Sequence, residues 1–142
     1  MMRAGKHIFR ILGLSVIGLM VSSVCADALQ QELSGAFISD KDATLDYLRS
    51  TGVYTQEQLE KLAAVMGKMK VTFNGDTVVT ELDDSKTSEQ FKVIEQESDH
   101  IVILTNLEGE PVTNRIEFVS DGYWLVNPLG DKPFREKFKR IP

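Results

Sequence analysis

The sequence predicts a mainly β fold with two short helices (α+β), in which an antiparallel meander forms a small barrel or a strongly curved sheet. Short apolar runs separated by turn-forming residues fill the chain from residue 71 onward. Two helical patterns precede them, between residues 40 and 69, and follow an earlier apolar run. The later connections are too short for parallel crossovers, which need about a dozen residues, so neighbouring strands must pair antiparallel.

The first strand and the first helix are predicted from residues 33–52. Residues 33–39, LSGAFIS, form a short apolar stretch typical of a strand. Asp40 or Asp42 can then accept hydrogen bonds from the free amides of a first helical turn. Leu45 follows at helical spacing, and Gly52 is a natural helix end. We therefore expect the first helix to lie between these two points.

A second helix is predicted to start at Thr55. Thr55 and Gln58 form a capping box, and one apolar stripe continues beyond them as far as Met69. The stripe is interpreted as a packed helix face, with a ligand portal beneath a helical lid as the alternative. Its members are Leu59, Leu62, Ala63, Met66 and Met69, while Glu57, Glu60, Lys61 and Lys68 should face water.

The remaining strands are separated by turn residues. Asn74-Gly75 is a strong hairpin signal between strands at 71–73 and 77–82. Residues 83–86 are interpreted as a polar turn, since a calcium loop would need spaced oxygen ligands around a glycine. Further strands are expected at 91–96, 101–107, 112–119, 123–126 and 134–140, which makes eight with the first.

The N-terminus has the pattern of a secretory signal peptide, predicted over residues 1–26. The first ten residues contain three basic side chains and no acid, and an apolar run covers residues 11–24. Val24 and Ala26 suit cleavage before Asp27. The prediction is a periplasmic or extracellular protein whose single domain spans residues 27–142.

Two alternatives to simple cleavage are open. A membrane anchor would need about 20 apolar residues, and Arg10 shortens this run well below that length. A lipoprotein acylated at Cys25 would favour a small residue before the cysteine, where Val24 stands. Membrane contact is therefore expected only through the signal peptide, or through Cys25 if that residue is lipidated.

The composition of the mature chain excludes several classes of function. It would carry 13 basic against 21 acidic residues, which argues against binding to nucleic acid. It would contain no cysteine, and His100 would be its single histidine. No metal, cofactor or nucleophile motif is present, so we predict no catalytic residue, no metal and no cofactor. A carboxylate-based hydrolase is a minor alternative to a protein that is not an enzyme.

Gly35-Ala36-Phe37 and the C-terminal Arg140 resemble two features of the calycins. Lipocalins and fatty-acid-binding proteins of this group carry Gly-x-Trp on the first strand, and a basic residue of the last strand packs against that Trp. Phe37 here replaces the Trp. One strand, two helices and an antiparallel meander is also the element order of the fatty-acid-binding branch. The resemblance implies a lipocalin-like barrel that holds a small apolar ligand.

Four residues are the candidate ligand-binding residues: Tyr123, Trp124, Glu136 and Arg140. Tyr123 and Trp124 are adjacent on a strand, so one ring should lie in the core and the other outside. Glu136 and Arg140 share a face with Phe134 and Phe138, and they are either polar anchors inside a cup or an ion pair at its rim.

Arg115 and Glu117 form a second charged pair. Both lie on one face of their strand, and Ile116 lies on the other. Both side chains are expected in water, paired across strands. A role in binding is the less favoured interpretation.

The sequence is compatible with two functions. The first is an exported, non-enzymatic binding protein that holds a small apolar ligand. The alternative is a protein–protein module with a solid barrel, such as an envelope assembly factor or an inhibitor of an extracellular enzyme. An apolar cavity favours the first, whereas a filled interior with an exposed aromatic patch favours the second.

Overall fold

The computed structural model describes residues 32–107, 109–126 and 132–142. The chain divides into two compact units, residues 1–33 and 34–142. Only Glu32 and Leu33 of the first unit are described, and both are helical. The predicted signal peptide, Cys25 and the loop at 127–131 lie outside the described residues.

The second unit is a nearly closed antiparallel barrel, which confirms the predicted fold class. The order of its strands is β4-β3-β2-β1-β9-β8-β7-β6-β5. The first and last strands are therefore neighbours. The described elements are β1 Gly35–Ser39, α1 Lys41–Thr51, α2 Gln56–Val65, β2 Lys70–Asn74, β3 Thr77–Leu82, β4 Ser85–Gln90, β5 Lys92–Gln96, β6 His100–Leu107, β7 Glu110–Val119, β8 Gly122–Val126 and β9 Arg135–Arg140.

β4 is a strand that the sequence analysis missed. It pairs with β3 through a two-residue turn, Asp83-Asp84, in which Asp83 has a φ of 51°. Its sequence, SKTSEQ, has no apolar residue, and five of its six side chains are exposed. An edge strand without a buried face shows no alternation of apolar and polar residues, so periodicity cannot detect it.

Both helices begin where the sequence predicts. The Asp40 carboxylate accepts a hydrogen bond from the amide of Ala43, and Gly52 ends α1 with a φ of 71°. Thr55 and Gln58 form the complete capping box of α2. None of the described helices is long and apolar enough to cross a membrane.

The second helix is shorter than its apolar stripe suggested. It ends at Val65, because Met66 is extended and Gly67 has a φ of 86°. Met69 therefore lies outside the helix. The interpretation of the stripe as a packed face is otherwise supported, since Leu59 is buried with Leu45 and Leu48 of α1.

Five aromatic rings occupy the barrel interior, four of them on β1, β2, β8 and β9 and the fifth between β4 and β5. Each ring contacts at least one other, with centroids 4.9 to 6.2 Å apart. Most of the contacts are edge-to-face, a favourable arrangement for aromatic pairs. The core of this part of the barrel is thus built from aromatic packing; its members are Phe37, Phe73, Phe91, Tyr123 and Phe138.

Candidate functional site

Tyr123 and Trp124 lie on opposite faces of β8, as the sequence predicts. Tyr123 is 2% exposed and belongs to the interior aromatic cluster. Trp124 is half-buried on the outer face, where its strand partners are Glu117 and Lys137. Of the two rings, only Trp124 is placed to meet a partner from outside.

Trp124 is held on this face by a cation and a second aromatic ring. The Arg135 guanidinium lies 5.5 Å from the Trp124 ring centroid and 5.7 Å from that of Tyr47. The two rings are themselves 5.8 Å apart. Such contacts favour a fixed orientation of the indole ring. We call Tyr47, Glu117, Trp124 and Arg135 the Trp124 surface.

Glu117 completes the Trp124 surface through an ion pair with Arg135. Arg115 also lies near it, with its guanidinium 3.8 Å from the Glu117 carboxylate, and is itself exposed. Glu117 thus pairs with Arg135 of β9, which lies beyond β8, whereas Arg115 is two residues away on the same strand. Glu117 is half-buried rather than fully in water.

Glu136 lies on the inner face of β9, close to the start of α1. Its carboxylate accepts a hydrogen bond from the Ser39 hydroxyl at 2.7 Å, and that hydroxyl accepts one from the Gly67 amide at 3.1 Å. Burial raises the pKa of Glu136, and the hydrogen bond from Ser39 opposes the rise. This carboxyl connects β9, β1 and the segment that follows α2.

Arg140 is separate from Glu136 in the structure. Its guanidinium lies 4.7 Å from the Phe37 ring centroid and donates a hydrogen bond to the Ser34 carbonyl at 2.7 Å. The structure thus places a basic residue of the last strand against Phe37. Within the described residues Glu136 and Arg140 do not form the rim ion pair that was one of the two expectations.

The histidine and the acidic turn bring no site together. His100 is buried, and its Nδ1 is 3.0 Å from an Asp99 carboxylate oxygen. The hydrogen bond with His100 is the main reason that the pKa of Asp99 is lowered. Asp83 and Asp84 are exposed, and the described part of the chain holds no cluster of three or more metal-binding side chains.

Sequence reasoning found Trp124 but missed Tyr47 and Arg135. Tyr47 falls within the predicted first helix and Arg135 within the strand predicted at 134–140, and neither position carries a signal of its own. Their meeting depends on how α1 packs on β9, which no local pattern encodes. Glu117 could have been found, because its strand position places it opposite Trp124 once β7 and β8 form a hairpin.

Comparisons with protein families, curated proteins and solved structures give no match in any of the three.

Proposed function

We propose that this domain is an exported, non-enzymatic binding module that engages a protein partner through the Trp124 surface. The observation that carries the proposal is the division of aromatic side chains between the two faces of β8. Tyr123 contributes to a packed interior, while Trp124 stands outside with Arg135 and Tyr47. Trp, Tyr and Arg are the residues most enriched among those that dominate protein–protein binding energy.

A cup for a small apolar ligand is the second candidate. The element order and the contact of Arg140 with Phe37 are the two observations in favour of this candidate. The five contacting rings argue against the cup, because they occupy interior space that such a ligand would need. We therefore favour the partner-binding module, acting as an envelope assembly factor or as an inhibitor of an extracellular enzyme.

Export is part of the proposal and has its own test. Cleavage after Ala26 would release a domain that begins at Asp27 and carries no lipid. N-terminal sequencing of protein from the native host should find this start. A chain that begins at acylated Cys25, or an uncut chain in the membrane, would contradict it.

Site-specific photocrosslinking tests the partner surface. Arg115 is exposed and lies beside Glu117, so a photoreactive amino acid there samples the surface without removing one of its members. A crosslink to one defined protein is expected from this position, and not from the exposed Asp84 at the β3–β4 turn. Trp124→Ala should abolish the crosslink, and Arg135→Lys should weaken it, because lysine lacks the planar guanidinium.

Native mass spectrometry of the same preparation tests the second candidate. The proposal expects the mass of the polypeptide alone. A stoichiometric small molecule, together with equal crosslinking from Arg115 and Asp84, would favour the ligand cup and overturn the partner-binding module.

A further inference from the structure

An open cleft lies where β1 leads into α1. Its volume is about 340 Å³. The start of α1 forms one wall, the segment after α2 forms another, and β1 with β9 supplies the rest. It is lined by Ile38, Ser39, Asp40, Lys41, Asp42, Met66, Gly67, Lys68 and Lys139. The register explains part of this arrangement, since Lys139 is directly opposite Ile38 on the neighbouring strand.

The cleft is lined by lysines that form no ion pair within the described residues, although the charge of Lys139 also helps to lower the pKa of Asp121. In the part of the chain that the structure describes, four lysine side chains take part in no ion pair or hydrogen bond. Three of them, Lys41, Lys68 and Lys139, line the cleft, and the fourth is Lys92 on β5. All four are exposed. This grouping occurs in a chain whose net charge is −5.

The two aspartates of the cleft are not equivalent. The Asp40 carboxylate accepts a hydrogen bond from the Ala43 amide at 3.2 Å and thereby caps the N-terminus of α1. Asp42 is exposed in the first turn and forms no ion pair with the lysines among the described residues, so its negative charge opposes an incoming anion. Three lysines against two aspartates leave the lining with a net positive charge, and several ammonium groups there suit an anion with several oxygens, such as a phosphate group.

We propose that this cleft binds a phosphate group, carried either by a free phosphate compound or by an anionic lipid headgroup. Lysine ammonium groups bind phosphate oxygens as mobile point charges, and three of them can approach one tetrahedral group from different sides. The site is independent of the Trp124 surface, which shares none of its residues.

Titration of the ¹⁵N-labelled protein at low salt tests the proposal directly. Inorganic phosphate should shift the amide signals of residues 38–42, 66–68 and 139 in a saturable way. Vesicles of phosphatidylglycerol are the second arm, with phosphatidylcholine vesicles as the neutral reference. Saturation by phosphate alone would identify a free phosphate compound as the ligand class, and sedimentation with phosphatidylglycerol vesicles would identify the lipid headgroup.

Matched variants separate the cleft from general charge effects. Lys68→Ala and Lys139→Ala should each weaken binding by up to about fivefold, the range expected for one exposed charge contact. Lys92→Ala makes the same change in net charge outside the cleft and should leave binding unchanged. Asp42→Asn should strengthen binding, a gain that misfolding cannot produce. The proposal is overturned if neither probe binds, or if Lys92→Ala weakens binding as much as the cleft variants.

Discussion

The ring of Tyr123 stacks on that of Phe138, with centroids 5.1 Å apart and an angle of 15° between the planes. Tyr123 also meets the edge of Phe37 at 4.9 Å. Phe37 and Phe138 are each 1% exposed and belong to β1 and β9, the first and last strands. Tyr123 therefore links the two ends of the meander where the barrel brings them together.

Removing either phenylalanine should destabilise the domain strongly. Phe37→Ala and Phe138→Ala are each expected to lower the free energy of unfolding by about 3–5 kcal/mol, because each leaves a cavity in a packed core. The double variant should lose less than the sum, since both rings share Tyr123 as a neighbour. Urea denaturation followed by circular dichroism measures all three. Arg115→Ala, at an exposed position, is the control and should change stability by less than about 0.5 kcal/mol.

Strict additivity of two large effects would contradict the link through Tyr123. Small single effects would contradict the burial of the rings.

Glu136 should make the protein less stable at neutral pH than it would be with a neutral side chain. Burial raises the pKa of Glu136 in the folded state. A carboxyl with a raised folded-state pKa contributes its full stability below its unfolded value, about 4.3, and that contribution is lost as the pH rises through the folded value. Glu136→Gln, which can still accept from Ser39, should therefore melt higher than the unchanged protein at pH 7.

Melting temperatures of both proteins between pH 3 and 8 test this sign, and other titrating groups cancel in the difference. The advantage of Glu136→Gln should disappear at the acid end of the series. An advantage that grew towards acid pH would show that the charged form of Glu136 is the one favoured by folding.

Asp121 and Lys137 should give unequal results when each is neutralised. The Lys137 ammonium is 2.7 Å from the Asp121 carboxylate, and its side chain is only 8% exposed, whereas Asp121 is largely exposed. Asp121→Asn would leave a buried ammonium without its carboxylate, whereas Lys137→Met removes the charge and keeps the stem. We expect Asp121→Asn to cost about 1 kcal/mol and Lys137→Met to cost less.

The pH dependence of this pair has the opposite sign to that of Glu136. The hydrogen bond from Lys137 is the main cause of the lowered pKa of Asp121. Its stabilising contribution should be present above the unfolded value of about 3.9 and be lost as the pH falls. Chemical denaturation at pH 7 and pH 3 measures it, and an Asp121→Asn effect that persisted undiminished at pH 3 would contradict the ion pair.

Local chemistry predicted most of the fold. Asp40, Gly52 and the Thr55–Gln58 box act over three or four residues, so each could be read from adjacent positions. β4 was not predicted, because it is held by backbone pairing with β3 and buries almost no side chain. Its sequence therefore shows no apolar pattern. The end of α2 was not predicted, because apolar residues continue at helical spacing as far as Met69, beyond Gly67. The positive φ of Gly67 is incompatible with a continuing helix.

The candidate site was less predictable because it depends on contacts between distant segments. Strand alternation was sufficient to separate Tyr123 from Trp124. It could not show that Arg135 lies between Trp124 and Tyr47, which are 77 residues apart and meet only through tertiary packing. Strand alternation also could not show that Glu136 accepts a hydrogen bond from Ser39 instead of pairing with Arg140. Alternation places Glu136 and Arg140 on one face of β9, but it does not show which side chains of the neighbouring strand lie beside them.

Gly35 should be intolerant of substitution because of its positive φ and its close contact with Arg140. Gly35 has a φ of 123°, and a Cβ at this position would lie 2.8 Å from an Arg140 guanidinium nitrogen. That guanidinium is held over Phe37 and against the Ser34 carbonyl. Gly35→Ala therefore strains the backbone and displaces Arg140, at an expected cost of about 1–3 kcal/mol. Thermal denaturation of the purified variant measures the loss.

The pair Gly35→Ala and Arg140→Ala separates the two contributions. Arg140→Ala alone should cost about 1 kcal/mol, through the lost contact with the Phe37 ring and the lost hydrogen bond. In the double variant the clash with the guanidinium no longer exists, and only the backbone strain at residue 35 adds to the effect of Arg140→Ala. The double variant should therefore lose less stability than the sum of the two single variants. Additive losses would mean that backbone strain alone makes glycine necessary at residue 35. The position of the Arg140 guanidinium would then not require the absence of a Cβ at that residue.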